Sequence, residues 1–342
     1  MNVSTLRHGL LRRCAGALIA IALTSLAVPG ARAEVGSVNA TIQYGIGYLP
    51  LYVMRHNHLF EKHLKAAGLD TKVAWTQIGV GSAVNDALLS GSTAFAAGGP
   101  PQLLTMWDRT HDNLKVKGVA ALSSMPMYLN ANTPRIKSIT DFGNQDRIAI
   151  ASAGSSIETL VLQMAAAKQY GDKDFRHFDS LMVNLAHPDG MAALLSGHTV
   201  TAQFAAPPYQ YEELKQPGIH RVLNSYDVTG GPATFLCVWS TSRFHDENPK
   251  TYKAYYDALV EAVDFINAHK REAAQIYVDD EKGKESVDDV LKMLESPEVR
   301  ITQVPQNMMA YANTMVRLGT IKHTPASWKD FFFPEAYAAG GS

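Results

Sequence analysis

The sequence predicts an α/β protein of two similar halves around a cleft, on three observations. The run Ala87-Leu88-Leu89-Ser90-Gly91 recurs as Ala193-Leu194-Leu195-Ser196-Gly197, and each copy precedes a short β-rich stretch ending in a double proline, Pro100-Pro101 or Pro207-Pro208. Strand, tight loop and helix patterns alternate through both halves, as in a parallel sheet with crossover helices. Once an N-terminal leader of 33 residues is set aside, 309 of the 342 residues remain, more than a single core usually serves.

The leader is read from Arg7, Arg12 and Arg13, the 15-residue apolar run from Cys14 to Val28, and the small-x-small sequence Ala31-Arg32-Ala33. This is the pattern of a cleavable secretory signal peptide, residues 1–33. The run is too short to span a bilayer comfortably, and no later apolar stretch reaches about 18 residues. An exported, soluble, periplasmic protein is expected. Cys14 precedes the apolar run rather than the cleavage site, so lipid anchoring is disfavoured. Four arginines leave with the leader, so 27 basic residues face 32 acidic ones and the formal charge becomes −5. Such a surface matches nucleic acid poorly. Only Cys237 remains after cleavage, which excludes an intramolecular disulfide and leaves stability to packing.

In chain order, Thr41 to Gly47 alternates as a strand, and Tyr48-Leu49-Pro50 leads into a helix through Met54 and Leu59. Val73 to Ile78 is a second strand. Gly79-Val80-Gly81-Ser82 then enters a helix ending at Gly91, with Ser82 as N-cap. Ala94 to Ala97 is a short buried strand, and Gly98-Gly99-Pro100-Pro101 opens the next helix. Arg147 to Ala151 is a strand followed by Ser152-Ala153-Gly154-Ser155-Ser156 and a helix from Ile157 to about Tyr170. Leu181 to Leu185 is a strand, Asp189 caps a helix through Leu195, Val200 to Phe204 is a strand, and Ala205-Ala206-Pro207-Pro208 opens another helix. Asn130 to Ser138 and Ser225 to Pro232 read as crossings between lobes. Lobe 1 is then 34–142 with 232–342, and lobe 2 is an insertion, 143–231. Phe235 to Thr241 returns as a strand, and Asn248 with Pro249 starts a helix whose Tyr252, Tyr256, Leu259, Val263 and Ile266 share a face.

Ligands of open α/β sheets sit beyond the carboxyl ends of the strands. The loops there are uncharged, small, hydroxylic or proline-rich, which suits binding through backbone amides at helix starts. The candidate ligand-binding residues are Tyr48, Leu49, Pro50, Gly81, Ser82, Gly98, Gly99, Pro100, Ser152, Gly154, Ser155, Ser156, Ala205, Pro207, Tyr209 and Thr234. Ser155 with Glu158 three residues on also reads as a capping box, which uses the same donors internally. Tyr52, Phe204, Phe235 and Trp239 join Tyr48 and Tyr209 as aromatics near strand ends, available to wall a cleft or to fill the core. His56, His58 and His63 do not share a helix face, so no metal site is expected. Asp279-Asp280-Glu281 and Asp288-Asp289 read as a solvated turn and helix start. G-x-S-x-G, G-x-x-x-x-G-K-[ST], H-E-x-x-H and G-x-G-x-x-G are missing from the chain. No catalytic residue and no cofactor is expected.

The segments Ile46-Gly47-Tyr48-Leu49-Pro50-Leu51-Tyr52, Asn57-His58-Leu59-Phe60-Glu61, Asn85-Asp86-Ala87-Leu88-Leu89-Ser90-Gly91 and Phe95-Ala96-Ala97-Gly98-Gly99 resemble the solute-binding proteins of nitrate, sulfonate and taurine ABC importers, within the thiamine-pyrimidine synthase-like superfamily. The resemblance implies a type II periplasmic binding protein. Each lobe is then a mainly parallel sheet flanked by helices, two crossing strands join the lobes, and ligand closes them for delivery to an inner-membrane permease. It implies ligand contact at Tyr48 to Pro50, Gly98-Gly99, Ser152 to Ser156 and Ala205 to Pro207, and no catalysis. His58 stands where that motif often has glycine. The synthases of the superfamily carry a cysteine-rich motif and iron, which one mature cysteine does not supply.

The expected function is the binding of a small organic oxyanion by a monomer. Binding of a pyrimidine-like or other flat heterocycle is the alternative. A periplasmic enzyme with His187 or Asp189 as base is the third reading, although Asp189 is also explained as an N-cap.

Overall fold

The computed structural model describes residues 33–79, 81–282 and 285–342, so the expected signal peptide lies, apart from Ala33, outside the described residues. From Glu34 onward the chain forms one compact unit. Its first half contains strand β1 (Ser37–Ile42), helices α1 (Leu49–His56) and α2 (Leu59–Ala66), β2 (Lys72–Gln77), α3 (Gly81–Leu89), β3 (Ala96–Gly98), α4 (Pro100–Arg109) and β4 (Val116–Ser124). Then come β5 (Tyr128–Ala131), β6 (Ile148–Ile150), α5 (Ile157–Tyr170), β7 (Met182–Asn184), α6 (His187–Ser196), β8 (Ala202–Ala205), α7 (Tyr209–Leu214), β9 (His220–Asn224) and α8 (Ser225–Thr229). The chain ends with β10 (Thr234–Thr241), α9 (Ser242–Glu247), α10 (Pro249–Ala268), α11 (Lys270–Glu281), α12 (Val287–Glu295), β11 (Arg300–Ile301) and α13 (Met308–Arg317).

The strands β11-β4-β10-β3 form one sheet, and the parallel pair β1-β2 joins its β3 edge through a parallel bridge from Ala40 to Phe95. The second sheet has the order β7-β6-β8-β5-β9. Within it β7, β6 and β8 are parallel, while β5 runs antiparallel to both neighbours. In the first sheet β10 likewise runs antiparallel to β3 and β4. The two sheets thus share one plan, in which a strand arriving from the other sheet enters against the direction of its neighbours.

The duplicated pentapeptide occupies the same place in each plan, at the end of the helix before β3 and before β8. Leu88 and Leu194 are buried, while Leu89 and Leu195 are 48% and 45% exposed. Ser90 and Ser196 each donate their hydroxyl back to the alanine carbonyl three residues earlier. Gly91 and Gly197 stop the helices in the left-handed conformation at φ 74° and 72°, where a glycine has no Cβ penalty.

Several expected boundaries move, for local reasons. The strand expected to reach Gly47 ends at Ile42, because Gly45 at φ 107° turns the chain. The helix expected through Leu59 is two, broken at His58, whose φ of 50° is one that glycine adopts readily. The crossing expected at Asn130 to Ser138 comes earlier: Tyr128–Ala131 already pairs with β8 and β9, so the chain changes sheet between Ser124 and Tyr128. Ser225 to Thr229, expected as crossing chain, is a helical turn capped by Asn224. Asp189 lies inside the first turn of α6 rather than at its N-cap, since the helix begins at His187 with Pro188 in its first turn. In α10 Tyr252, Leu259, Val263 and Ile266 are buried on one face as expected, Tyr256 is only half-buried, and Tyr255 joins the buried set, its ring stacked on Phe95 with centroids 3.7 Å apart. Cys237 is buried in the core of the first sheet.

Candidate functional site

The carboxyl ends of strands in both sheets converge on one narrow, partly open cavity. The first-sheet side supplies Gln43, Tyr44, Tyr48, Gly79, Gly99, Gln102, Phe235 and Leu236, and the second supplies Ala151, Ser152, Ser156, Ile157, Glu158 and His187. In this shape it encloses about 30 Å³, space for roughly one or two waters. An organic solute needs the walls to part.

Helix α5 brings its start to this cavity because Ser156, in extended conformation, caps it by accepting from the Thr159 amide at 3.3 Å. Ser155, the expected cap, instead exchanges a hydroxyl hydrogen bond with Ser152 at 2.8 Å. Glu158 is therefore free of the expected capping box, and its carboxylate meets His187 Nε2 from α6 at 3.4 Å. Both residues are buried. Burial alone pushes the Glu158 carboxyl up, but the hydrogen bond and charge of His187, the Ser156 hydroxyl and the backbone amide together hold it below its ordinary value. Burial, then the nearby Glu158 charge, raises the Tyr48 phenol well above its usual range, so it stays a neutral wall.

Two polar atoms at this cavity have no protein partner, Gln102 Nε2 and His187 Nδ1. Gln102 is 3% and His187 8% exposed. The other end of each is committed: Gln102 Oε1 accepts from the Gly99 amide at 2.9 Å, and His187 Nε2 faces Glu158. A buried donor without a partner costs about 1–3 kcal/mol, so Gln102 Nε2 marks a place where a ligand's acceptor is stabilised, with His187 Nδ1 a second unpaired polar atom beside it. The first-turn amides of α5, which have no intrahelical carbonyl to bond, add dipole to the same end.

No family model matches the sequence, and no curated protein matches it. Solved structures do. The alkanesulfonate-binding protein SsuA of Xanthomonas axonopodis, bound to MOPS, aligns with a TM-score of 0.66 at 16% identity over 85% of this chain and 96% of that one. The periplasmic nitrate-binding protein NrtA of Synechocystis aligns with a TM-score of 0.67 at 15% identity over 87% and 84%. A Candida albicans gene product described as having the generic periplasmic binding protein fold aligns with 0.64 at 11% identity over 90% and 96%. The chain has the periplasmic-binding-protein fold.

Within that binding-protein fold, the structure brings Tyr48, Gly99, Ser152 and Ser156 of the sequence-derived candidates to the cavity wall. Leu49 and Pro50 are buried in α1, and Gly98, Pro100, Gly154, Ser155, Ala205, Pro207 and Thr234 are not among its lining residues. Gly81 and Ser82 lie in the first turn of α3. Tyr209 stands behind the wall, its ring 5.7 Å from the His187 ring at 22°. Gln43 and Gln102 escaped the sequence reading, Glu158 entered it only as a capping partner, and His187 only as a base. All four are buried polar side chains, and Gln102 and His187 each keep an atom without a protein partner, which no sequence spacing encodes. His56, His58 and His63 go to three separate carboxylates, Asp280, Glu61 and Glu261. Asp280 and Glu281 are not a solvated turn: Asp280 pairs with Arg55 at 3.2 Å and Glu281 accepts from two tyrosines. No described helix is long and apolar enough to cross a membrane.

Proposed function

We propose that the chain is the periplasmic solute-binding component of an ABC-type importer, a monomer of two lobes built on the two sheets. They close on a small oxyanion, nitrate, taurine or another sulfonate by class, for delivery to an inner-membrane permease. The observation that carries this reading is the cavity walled from both sheets, with the Gln102 Nε2 donor facing no protein acceptor. Glu158 does not repel the anion as a bare charge, because His187 and the Ser156 hydroxyl already engage it. The likeness to sulfonate- and nitrate-binding structures supports the same class of ligand.

Tyr48 and Phe235 in the wall favour a flat heterocycle as the second reading. A binding role is favoured over catalysis because His187 Nδ1 has no hydroxyl or thiol bonded to it, and burial raises the Cys237 thiol far above its usual range. Isothermal titration with nitrate, methanesulfonate and taurine tests the ligand class. Saturable heat with at least one anion is expected. Silence with all three and tight binding of a neutral pyrimidine overturns the oxyanion, and turnover of a bound compound overturns the binding-only role.

A further inference from the structure

Glu281 closes α11 with a carboxylate that receives two phenols. Tyr209 Oη donates to Oε1 at 2.8 Å, and Tyr52 Oη donates to Oε2. Tyr52 belongs to α1, on the first-sheet side, whereas Tyr209 opens α7 on the second. Tyr52 is held from behind by the Arg55 guanidinium over its ring, and Arg55 is itself paired with Asp280. The carboxylate is therefore fixed on one side and reaches across to the other.

The same line of contact is kept close by three glycines of the first-sheet loops. A Cβ built on Gly45 would stand 3.3 Å from the Pro207 carbonyl oxygen, one on Gly79 3.3 Å from Ala186 Cβ, and one on Gly99 3.1 Å from Ile157 Cβ. Every one of those partners belongs to the second-sheet side, and the Ile46 amide donates across the same seam to the Pro207 carbonyl at 3.2 Å. These glycines thus serve the meeting of two protein surfaces, whereas the loop composition alone suggested room for a ligand. Two exposed ion pairs also cross, Lys215 to Asp289 and Arg317 to Asp172, and such pairs contribute little.

We propose that Glu281 and Tyr209 form a clasp that holds the two lobes together before any solute arrives, with Gly45, Gly79 and Gly99 setting how closely they meet. This rests on the two-lobe reading and is independent of which solute is bound. Tyr209 touches His187 with its ring face and Glu281 with its hydroxyl, so the clasp abuts the wall that a solute would touch.

The test uses the full chain with Cys14→Ser, Leu89→Cys and Leu195→Cys, dyes being attached at the two exposed leucine positions while buried Cys237 stays unlabelled. Energy transfer and the radius of gyration are read without added solute. The parent protein is expected to show one closed population. Tyr209→Phe keeps the ring and loses the hydroxyl, and Glu281→Gln keeps the shape and loses the charge. Each should raise the open-to-closed ratio about tenfold, the scale of a lost bond to a charged group. Gly99→Trp, a wedge in the seam, should open the molecule completely. A parent protein that is already open, or Tyr209→Phe and Glu281→Gln variants indistinguishable from it while the wedge opens, overturns the clasp alone. A wedge variant that folds yet changes neither readout overturns the two-lobe reading beneath it.

Discussion

Replacing Glu158 by glutamine tests whether the ion pair at the cavity is as tightly built as its geometry states. The glutamine keeps the shape of a side chain that is 3% exposed, but removes the charge that His187 meets at 3.4 Å. A hydrogen bond to a charged group contributes about 1.5–3 kcal/mol, and the long separation places the expected loss near the lower end, about 2 kcal/mol at pH 7. The pH dependence follows from the direction of the Glu158 shift. Its folded carboxyl is held below the unfolded value of 4.5, so the stabilisation is fully present above that value and disappears as pH falls through the lower folded one. Urea unfolding of both proteins at several pH values, with midpoints and slopes, gives the difference directly. The two curves should lie about 2 kcal/mol apart at neutral pH and converge in acid. A gap that is missing at pH 7, or that persists unchanged at low pH, refutes the assignment of an ionised, partnered carboxylate.

Gln102→Glu keeps an acceptor for the Gly99 amide while turning the free donor into a negative charge, so affinity for any bound oxyanion should fall at least about 30-fold, the scale of losing a buried donor; calorimetry with the best anion checks it. Glu213, fully buried and bonded to Asn130 Nδ2 at 2.7 Å, has its carboxyl pushed up to about 8 by desolvation. Its folded value is the higher one, so its favourable contribution is complete below the unfolded value and is lost as pH rises towards 8; Glu213→Gln should gain on the parent across that window in urea unfolding, and parallel curves would contradict it. Phe95→Ala removes the ring stacked on Tyr255 in the fully buried core and should cost about 3–5 kcal/mol by the same measurement.

Much of the architecture was legible because it depends on local chemistry. The repeated Ala-Leu-Leu-Ser-Gly run announced two equivalent helix ends, and its buried leucine, exposed leucine, back-bonded serine and left-handed glycine are all properties of the pentapeptide itself. The start of α5 at Ile157 was legible, although reading Ser155 rather than Ser156 as the cap hid the destination of Glu158. Glu158 and His187 meet only through the packing of α5 against the start of α6, so no spacing in the chain joins them. Glu281 was obscured by its acidic neighbours, which suggested a solvated face; Tyr52 and Tyr209 reach it from 229 and 72 residues away. β5 was lost as a crossing because four residues carry too little periodicity, and its antiparallel pairing is decided by strands far along the chain.

The position of β10 between β3 and β4 bears on how a nascent chain assembles. All five strands of the second sheet have been synthesised once Asn224 is reached, whereas the first lacks an interior strand until Thr241. Up to that point two edges of unpaired backbone face a vacant slot. The second sheet is therefore free to complete first as the chain is made, and the first sheet, which begins the polypeptide, finishes last. Truncation anywhere before residue 241 should leave a sticky, aggregation-prone remnant rather than a smaller working module.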